Sequence, residues 1–307
     1  MLPESGSPIE NLFTRMKKHL FIILFLVLPG SLTADEQSVL RIGGSDLFAE
    51  SFQDAVERFA QTEELEIQVA LRGSYAGRTA LDREELDFAI LAVPAKLEEH
   101  LEGYESFVFA YQSVVFATHP DNPLNELTLS QVAGIFGAEE QTSYRRWEDL
   151  GVGGELRPRS IQTFSIAPGQ SIAVDLFTHE VLRNPSMRGG ISYLDSMEAL
   201  LEAVRDSSPA LALLPRNPPP DSPVRTVSIS SEEGDIAFGP SPENIHNGDY
   251  PIRLPVYLVF REEVRGQVRD LLVFLTRDEV AETVEESGLY PLPGSARNRL
   301  RLDFEQF

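Results

Sequence analysis

The feature that most constrains this chain is a repeated passage from a short apolar, β-rich run, through a glycine- or serine-bearing turn, into an amphipathic helix. Val39-Leu40-Arg41-Ile42-Gly43-Gly44-Ser45 predicts a buried strand that ends in a glycine turn. A helix is expected to follow at once. Phe48, Phe52, Ala55, Val56 and Phe59 recur at three- and four-residue spacing, with Glu50, Asp54, Glu57 and Arg58 mostly on the opposite face. Glu66 to Leu71 alternates as a second strand, Gly73-Ser74-Tyr75-Ala76-Gly77 turns it into a second helix, and Phe88 to Ala92 is a third strand directly after Asp87. Strands that alternate with helices in this way imply βαβ units and a mainly parallel sheet.

The same pattern restarts further on. The apolar segment Phe107 to Thr118 is stopped by His119-Pro120-Asp121-Asn122-Pro123. A helix then opens at Leu127 to Val132 with Thr128 or Ser130 as its cap. Ser160 to Ile166 reads as a strand followed by a helix from about Ser171 to Leu182, and Ala210 to Leu214 as a buried strand before the proline-rich stretch Pro215 to Pro223. Asp249 to Phe260 is an extended apolar strand. Two helices follow, Glu262 to Thr276 and Asp278 to Ser287, with Val264, Val268, Leu271, Leu272 and Leu275 along an apolar face.

Ahead of these elements, Met16-Lys17-Lys18-His19 leads into the apolar run Leu20 to Leu28 and then Pro29-Gly30-Ser31-Leu32-Thr33-Ala34. A basic start, a short apolar run and a small-residue exit predict a secretory signal peptide, with translation starting at Met16 and cleavage after Ala34. Residues 1–34 are therefore set apart from the folded chain. The sequence has no cysteine, which excludes disulfides, thiolate metal sites and a cysteine nucleophile. With 26 basic against 48 acidic residues and a net charge of −22, nonspecific nucleic-acid binding is disfavoured.

Several local strings, in order, resemble the periplasmic phosphate-binding proteins of ABC importers. They are Arg41-Ile42-Gly43-Gly44-Ser45-Asp46, Gly73-Ser74-Tyr75-Ala76-Gly77, Val115 to Asn122 leading into Leu127-Thr128-Leu129, Trp147-Glu148-Asp149-Leu150-Gly151, Gly248-Asp249-Tyr250-Pro251-Ile252 and Gly288-Leu289-Tyr290-Pro291-Leu292. The resemblance runs from about Leu40 to Leu292. It implies an α/β architecture, the type II periplasmic-binding-protein fold, with two α/β lobes joined by two crossover segments and a ligand held between them. Lobe one is then expected over 38–115 plus 245–307, lobe two over 116–225, and a linker over 226–244. The implied protein is a periplasmic or secreted monomer without a cofactor, which captures a small anion such as phosphate and passes it to an ABC permease.

A dehydrated oxyanion needs directed donors, and helix N-termini supply them through unpaired N–H groups and the positive dipole end. Three predicted helix starts carry a serine after a strand: Ser45, Ser74 and Ser171. Each matches a ligand-bearing motif of the resembled family, and ordinary helix capping is the alternative role of each serine. The expected ligand set is Ser45, Asp46, Leu47, Ser74, Tyr75, Gln170 and Ser171, with Arg72 and Arg78 as substitute cations. Departures from the family pattern are clear. Leu47 stands where a second hydroxyl is usual, and the acid that accepts a proton from phosphate should fall near Ala92, for which Asp87 is too early. Ala167 replaces the usual arginine, and Ser171-Ile172-Ala173 replaces the usual Ser-Gly-Thr run. The implied site is therefore weakened.

No Gly-x-Ser-x-Gly elbow, paired-histidine zinc motif or lysine-bearing phosphate loop is present, so catalysis is not expected. A different outcome for the same clamp is a sensor or interaction module with a degenerate or organic-ligand site. Tyr75 would then close the pocket or stack on the ligand.

Overall fold

Buried glycine and β-branched or aliphatic residues set the first strand of the computed structural model, which describes residues 39–48 and 51–307. β1 (Leu40–Gly44) is followed by α1 (Ser51–Thr62), β2 (Ile67–Leu71), α2 (Ser74–Asp82) and β3 (Phe88–Ala92). Ile42 pairs in parallel with Val69 on one side and with Phe88 on the other, so β1 lies between β2 and β3. The first helix does not begin directly after Ser45. A 3₁₀ turn, Asp46–Phe48, comes first and α1 starts at Ser51.

The apolar run expected as one element becomes two. β4 (Glu105–Ser113) stays in the first sheet, whereas β5 (Val115–Thr118) belongs to the second, with Val114 as the single residue between them. The chain then forms β6 (Glu126–Thr128), α3 (Leu129–Phe136), β7 (Gln162–Ser165), α4 (Ile172–Glu180), β8 (Ser192–Tyr193), α5 (Met197–Arg205), β9 (Ala210–Leu214), β10 (Arg225–Thr226), β11 (Ser228–Ser230) and α6 (Pro242–Asn247). It returns to the first sheet through β12 (Arg253–Phe260) and closes with α7 (Arg265–Leu275), α8 (Asp278–Glu286), β13 (Tyr290–Pro291) and α9 (Gly294–Phe304). The six-stranded sheet has the order β13-β4-β12-β3-β1-β2, and the five-stranded sheet β10-β5-β9-β7-β8. This is the type II periplasmic-binding-protein fold, two α/β lobes joined by crossovers.

Local chemistry explains the element ends. Thr128 caps α3 reciprocally with Gln131: its hydroxyl accepts from the Gln131 N–H at 3.1 Å, and the Gln131 amide oxygen accepts from the Thr128 N–H at 2.9 Å. The Trp147-Glu148-Asp149-Leu150-Gly151 string is a 3₁₀ turn. Asp149 accepts from the N–H groups of Arg145 and Arg146, and the fully buried Trp147 indole donates to the Pro209 carbonyl at 3.3 Å.

Two cores result. Under the first sheet, Phe52, Val56 and Phe59 of α1 meet Val268, Leu271 and Leu272 of α7, and Phe59 stacks on Phe274 at 4.7 Å between centroids. In the second, Phe116, Phe136 and Phe177 form a mutual aromatic cluster around β5. Residues 226–244, expected as a linker, contribute to that core: Val227 and Ile229 are fully buried, and β11 pairs with β6.

The two crossings are bonded to each other. The Tyr250 hydroxyl donates to the Val114 carbonyl at 2.8 Å, and the Ser113 hydroxyl donates to the Ile252 carbonyl at 2.6 Å. All four residues are buried, so neither bond has competition from water. The turn around Tyr250 is why β12 begins at Arg253 rather than at Asp249. Tyr250→Phe leaves the Val114 carbonyl without its strong donor and is expected to cost about 1–3 kcal/mol. Urea unfolding of the two proteins tests this; equal midpoints would show that the bond contributes nothing.

Candidate functional site

The C-terminal ends of β1, β2 and β3 meet at two glycine turns. Gly44 has φ +125°, and a Cβ there would lie 2.0 Å from the Ile90 carbonyl oxygen, so no larger residue fits the turn. It lets Ser45 donate its N–H to Ile90 at 2.7 Å, while Gly73, also at positive φ, donates to the Gly44 carbonyl at 2.8 Å. Gly77, in the first turn and a half of α2, rests on this corner: a Cβ would come within 2.5 Å of the Gly44 Cα. The start of α2 is thus pressed onto the end of β1. Ser74 completes the arrangement, its hydroxyl oxygen accepting from the Ala92 N–H at the end of β3 at 2.9 Å.

This unit has donors to offer. The Ser74 hydroxyl oxygen is used as an acceptor, which leaves its O–H to donate, and the first-turn N–H groups of α2 have no acceptor within the helix. Ser45 differs. It is buried, and its hydroxyl accepts from the Leu47 N–H at 3.3 Å. Asp46 is exposed beside it, and Leu47 packs against the core under the first sheet. Tyr75 is 88% exposed. Arg72 is also exposed, and its side chain makes no hydrogen bond or ion pair among the described residues. Arg78 is occupied: it pairs with Asp82 one turn on and stacks on the Tyr104 ring at 4.4 Å, and the Tyr104 hydroxyl donates to the same Asp82.

The third serine follows β7 of the second sheet. Ser171 is the N-cap residue of α4, yet its side chain makes no capping bond. Asp175 instead ties down the loop before the helix, accepting from the Gly169 N–H at 2.8 Å, and places a carboxylate in the first turn. That charge opposes a second anion there. Gln170 is exposed, its N–H donating to the Ala167 carbonyl. Hydrogen bonds join the Ser45 and Ser74 turns; among the described residues none joins either to Ser171.

A family model described as the PBP superfamily domain matches residues 31–279. This chain belongs to that superfamily. Its relatives include Protein SphX of Synechococcus elongatus, 23% identical with 86% of this chain and 80% of the relative covered. The phosphate-binding protein PstS of Pseudomonas aeruginosa is 22% identical, covering 83% and 84%. Among solved structures, PstS from Borrelia burgdorferi aligns with a TM-score of 0.66 at 18% identity, over 83% of this chain and 99% of that one. An ABC-type phosphate transport receptor from Vibrio cholerae gives 0.59 at 19% identity, over 83% and 100%. The resemblance read from the motifs and the two-lobed fold are both in keeping with these matches. The export signal expected before residue 35 lies outside the described residues, and no helix among those described is long and apolar enough to cross a membrane.

In this superfamily member the end of the third strand carries Ala92, and it is the backbone N–H of Ala92 that engages Ser74. Asp87 sits at the opposite end of β3. There it accepts from the Arg41 backbone at 2.9 Å and from the Arg41 guanidinium at 3.0 and 2.7 Å, with Arg261 at 4.0 Å. Burial disfavours its ionised form, but the hydrogen bonds and charge of Arg41, aided by Arg261, outweigh burial and hold the carboxyl below its ordinary range. Asp87 is therefore a sheet clamp, remote from the glycine turns. The signal for the α2 corner that sequence reading passed over was the second glycine of Gly73-Ser74-Tyr75-Ala76-Gly77, placed for helix-on-strand contact.

A carboxyl lowered on folding stabilises the protein above its unfolded pKa and loses that contribution as pH falls through the folded value. Asp87→Asn is thus expected to be less stable than the parent at neutral pH, with the gap closing progressively below about pH 4. Denaturant unfolding of both proteins at pH 7 and in acid checks this. A gap that persists undiminished in acid would show that the charge is not the stabilising element.

Proposed function

We propose that this chain is an exported solute-binding protein that captures a small oxyanion, phosphate foremost, between its two lobes and delivers it to an ABC permease. The observation that carries the reading is the hydrogen-bonded corner of Ser45, Ser74 and Ala92, which presents the start of α2 and a free serine O–H at the strand ends. The phosphate-binding names of the relatives support the ligand class. In this reading lobe one comprises 38–115 with 245–307 and lobe two 116–225 together with 226–244, and Ser45, Asp46, Leu47, Ser74, Tyr75, Gln170 and Ser171 border the ligand. Arg72 is the available cation on the α2 side. The protein acts as a monomeric binder without catalysis or cofactor, and nucleic acid is not its ligand.

With Ala92, Ala167 and Ile172-Ala173 in place of acid, cation and small donors, and Asp175 near the third helix start, the site is weak and poorly selective. One further observation favours a second reading, an organic solute or a sensing role. Tyr75 at 88%, Ile172 at 39% and Tyr193 at 44% are exposed large hydrophobics at α2, at α4 and at the end of β8, where a bare oxyanion would need donors.

Calorimetry decides between them. Phosphate is expected to bind in the micromolar range or weaker, about 8 kcal/mol or less, with sulfate competing within about tenfold. Ser74→Ala is expected to weaken phosphate by about 1–3 kcal/mol, because the hydroxyl bonds a charged group. Nanomolar phosphate binding with firm rejection of sulfate would overturn the weak-site reading. Absence of oxyanion binding, together with tight binding of an organic solute, would replace it by the second.

A further inference from the structure

Beside the second sheet lies a buried cation with no carboxylate partner among the described residues. Arg188 is 8% exposed, and its guanidinium donates to the Tyr144 carbonyl at 3.2 Å and to the Thr163 hydroxyl oxygen at 3.3 Å. Both acceptors are neutral. A guanidinium has five N–H donors, so with two bonds made, three are left without a partner among the described residues. Burial pushes the Arg188 pKa down to about 10, and the charge of Arg145 pushes the same way. The side chain is still a cation at neutral pH.

Its place is distinct from the strand-end corner. Tyr144 and Arg145 lead into the antiparallel bridge between Arg146 and Ser160 at the foot of β7, where the Arg145 carbonyl accepts from the Ile161 N–H at 2.9 Å. Ser171 follows the other end of that strand. The Nε atoms of Arg225, Arg265 and Arg297 are sealed in the interior without partners, whereas that of Arg188 is not among the sealed groups. Two exposed glycines follow Arg188, and a Cβ on Gly189 or Gly190 would meet nothing within 4 Å, so no side chain of that loop covers it. Arg145 is exposed, and its side chain makes no hydrogen bond or ion pair among the described residues. The acids of the same turn are engaged: Asp149 accepts from the backbone of Arg145 and Arg146, and Glu148 pairs with Arg146 and Arg157.

We infer that Arg188, backed by Arg145, forms a second anion site at the foot of β7, which takes a small oxyanion such as phosphate or sulfate. A buried charge is costly unless a counter-charge meets it, and this chain supplies none although acids outnumber bases in it, 48 to 26. An oxyanion is acceptor-only and has lone pairs enough for the free N–H groups. The planar guanidinium matches such a group two-pronged, and Arg145 adds a second charge at the exposed rim. With so little of Arg188 open, only the oxygens of a small group reach it. The guanidinium already ties its own loop to β7 and to the Tyr144 turn, so an occupant steadies that end of the second sheet. Nothing in this site depends on what the Ser74 corner binds.

Calorimetric titration of phosphate into the full chain and into Ser74→Ala, Arg145→Ala and Arg188→Lys tests the site. The parent is expected to show a binding component that Ser74→Ala leaves unchanged. Arg145→Ala should weaken that component several-fold, and Arg188→Lys about tenfold, because lysine keeps the charge and loses the fork. Sulfate should follow the same order. Where Arg188→Lys fails to fold by circular dichroism, the exposed Arg145→Ala carries the test alone. Unchanged phosphate binding in the arginine variants would overturn the site, and so would a loss confined to Ser74→Ala, which would put every bound anion in the inter-lobe cleft. Absence of phosphate binding up to about 10 mM would overturn it as well. A single component that ignores Ser74→Ala and falls in the arginine variants would uphold this site and count against the cleft alone.

Discussion

The bond from the Tyr250 hydroxyl to the Val114 carbonyl, with its counterpart from Ser113 to Ile252, is the constraint on which the two-sheet architecture rests. Val114 is the only residue between β4 and β5, and therefore between one sheet and the other. A peptide carbonyl at such a crossing belongs to neither ladder. Left bare in the interior it would carry a desolvation cost comparable to a lost hydrogen bond. A tyrosine from the return crossing satisfies it and in doing so registers the two crossings against one another. The first and second sheets inherit their relative placement from that contact, and with it the edge along which their strand ends and helix starts are presented.

At that edge the chain favours close backbone approach over charge. Gly44, Gly73 and Gly77 allow α2 to sit directly against β1, and Ser74 links the helix start to the end of β3. The resulting donors are neutral N–H and O–H groups. Apart from the exposed Arg72, the charged groups nearby are otherwise engaged or of the wrong sign: Arg78 is held by Asp82 and Tyr104, Asp87 clamps Arg41 at the far end of the strand, and Asp175 occupies the start of α4. Such a corner offers an anion dipoles rather than charge, and the end of β3 carries Ala92 rather than an acid that could tell a protonated ligand from an unprotonated one.

Sequence reading recovered the elements whose signal is local. The third strand runs Phe88–Ala92 as expected, and the strand, turn and helix alternation through β1, α1, β2 and α2 is as the periodicity implies. It failed where a single residue changes roles. Val114 divides what reads as one apolar, β-rich segment, because the residues on both sides of it are buried and only the sheet they join differs. Val227 and Ile229 looked like connecting chain, being short apolar points in a polar stretch, yet β11 finds β6 about a hundred residues earlier. Of the candidate site, the Ser45 and Ser74 turns came together, while Leu47 went to the core and Arg78 to a surface cluster.

What the sequence by itself determined is therefore the α/β alternation, the glycine turns at Gly44 and Gly73, and the departures at Leu47, Ala92 and Ala167 from the pattern of phosphate-binding relatives. These follow from periodicity and from backbone angles that only glycine adopts readily, both of which act within a few residues. Tertiary structure alone decided that Ser74 spends its oxygen on Ala92, that Arg78 is occupied, and that the Tyr250 hydroxyl has a carbonyl acceptor where the Tyr290 hydroxyl has none among the described residues. Tyr250 and Tyr290 stand in similar Tyr-Pro strings, so no local signal separates them. The difference is which carbonyl another segment, more than a hundred residues away for Val114, brings within 2.8 Å.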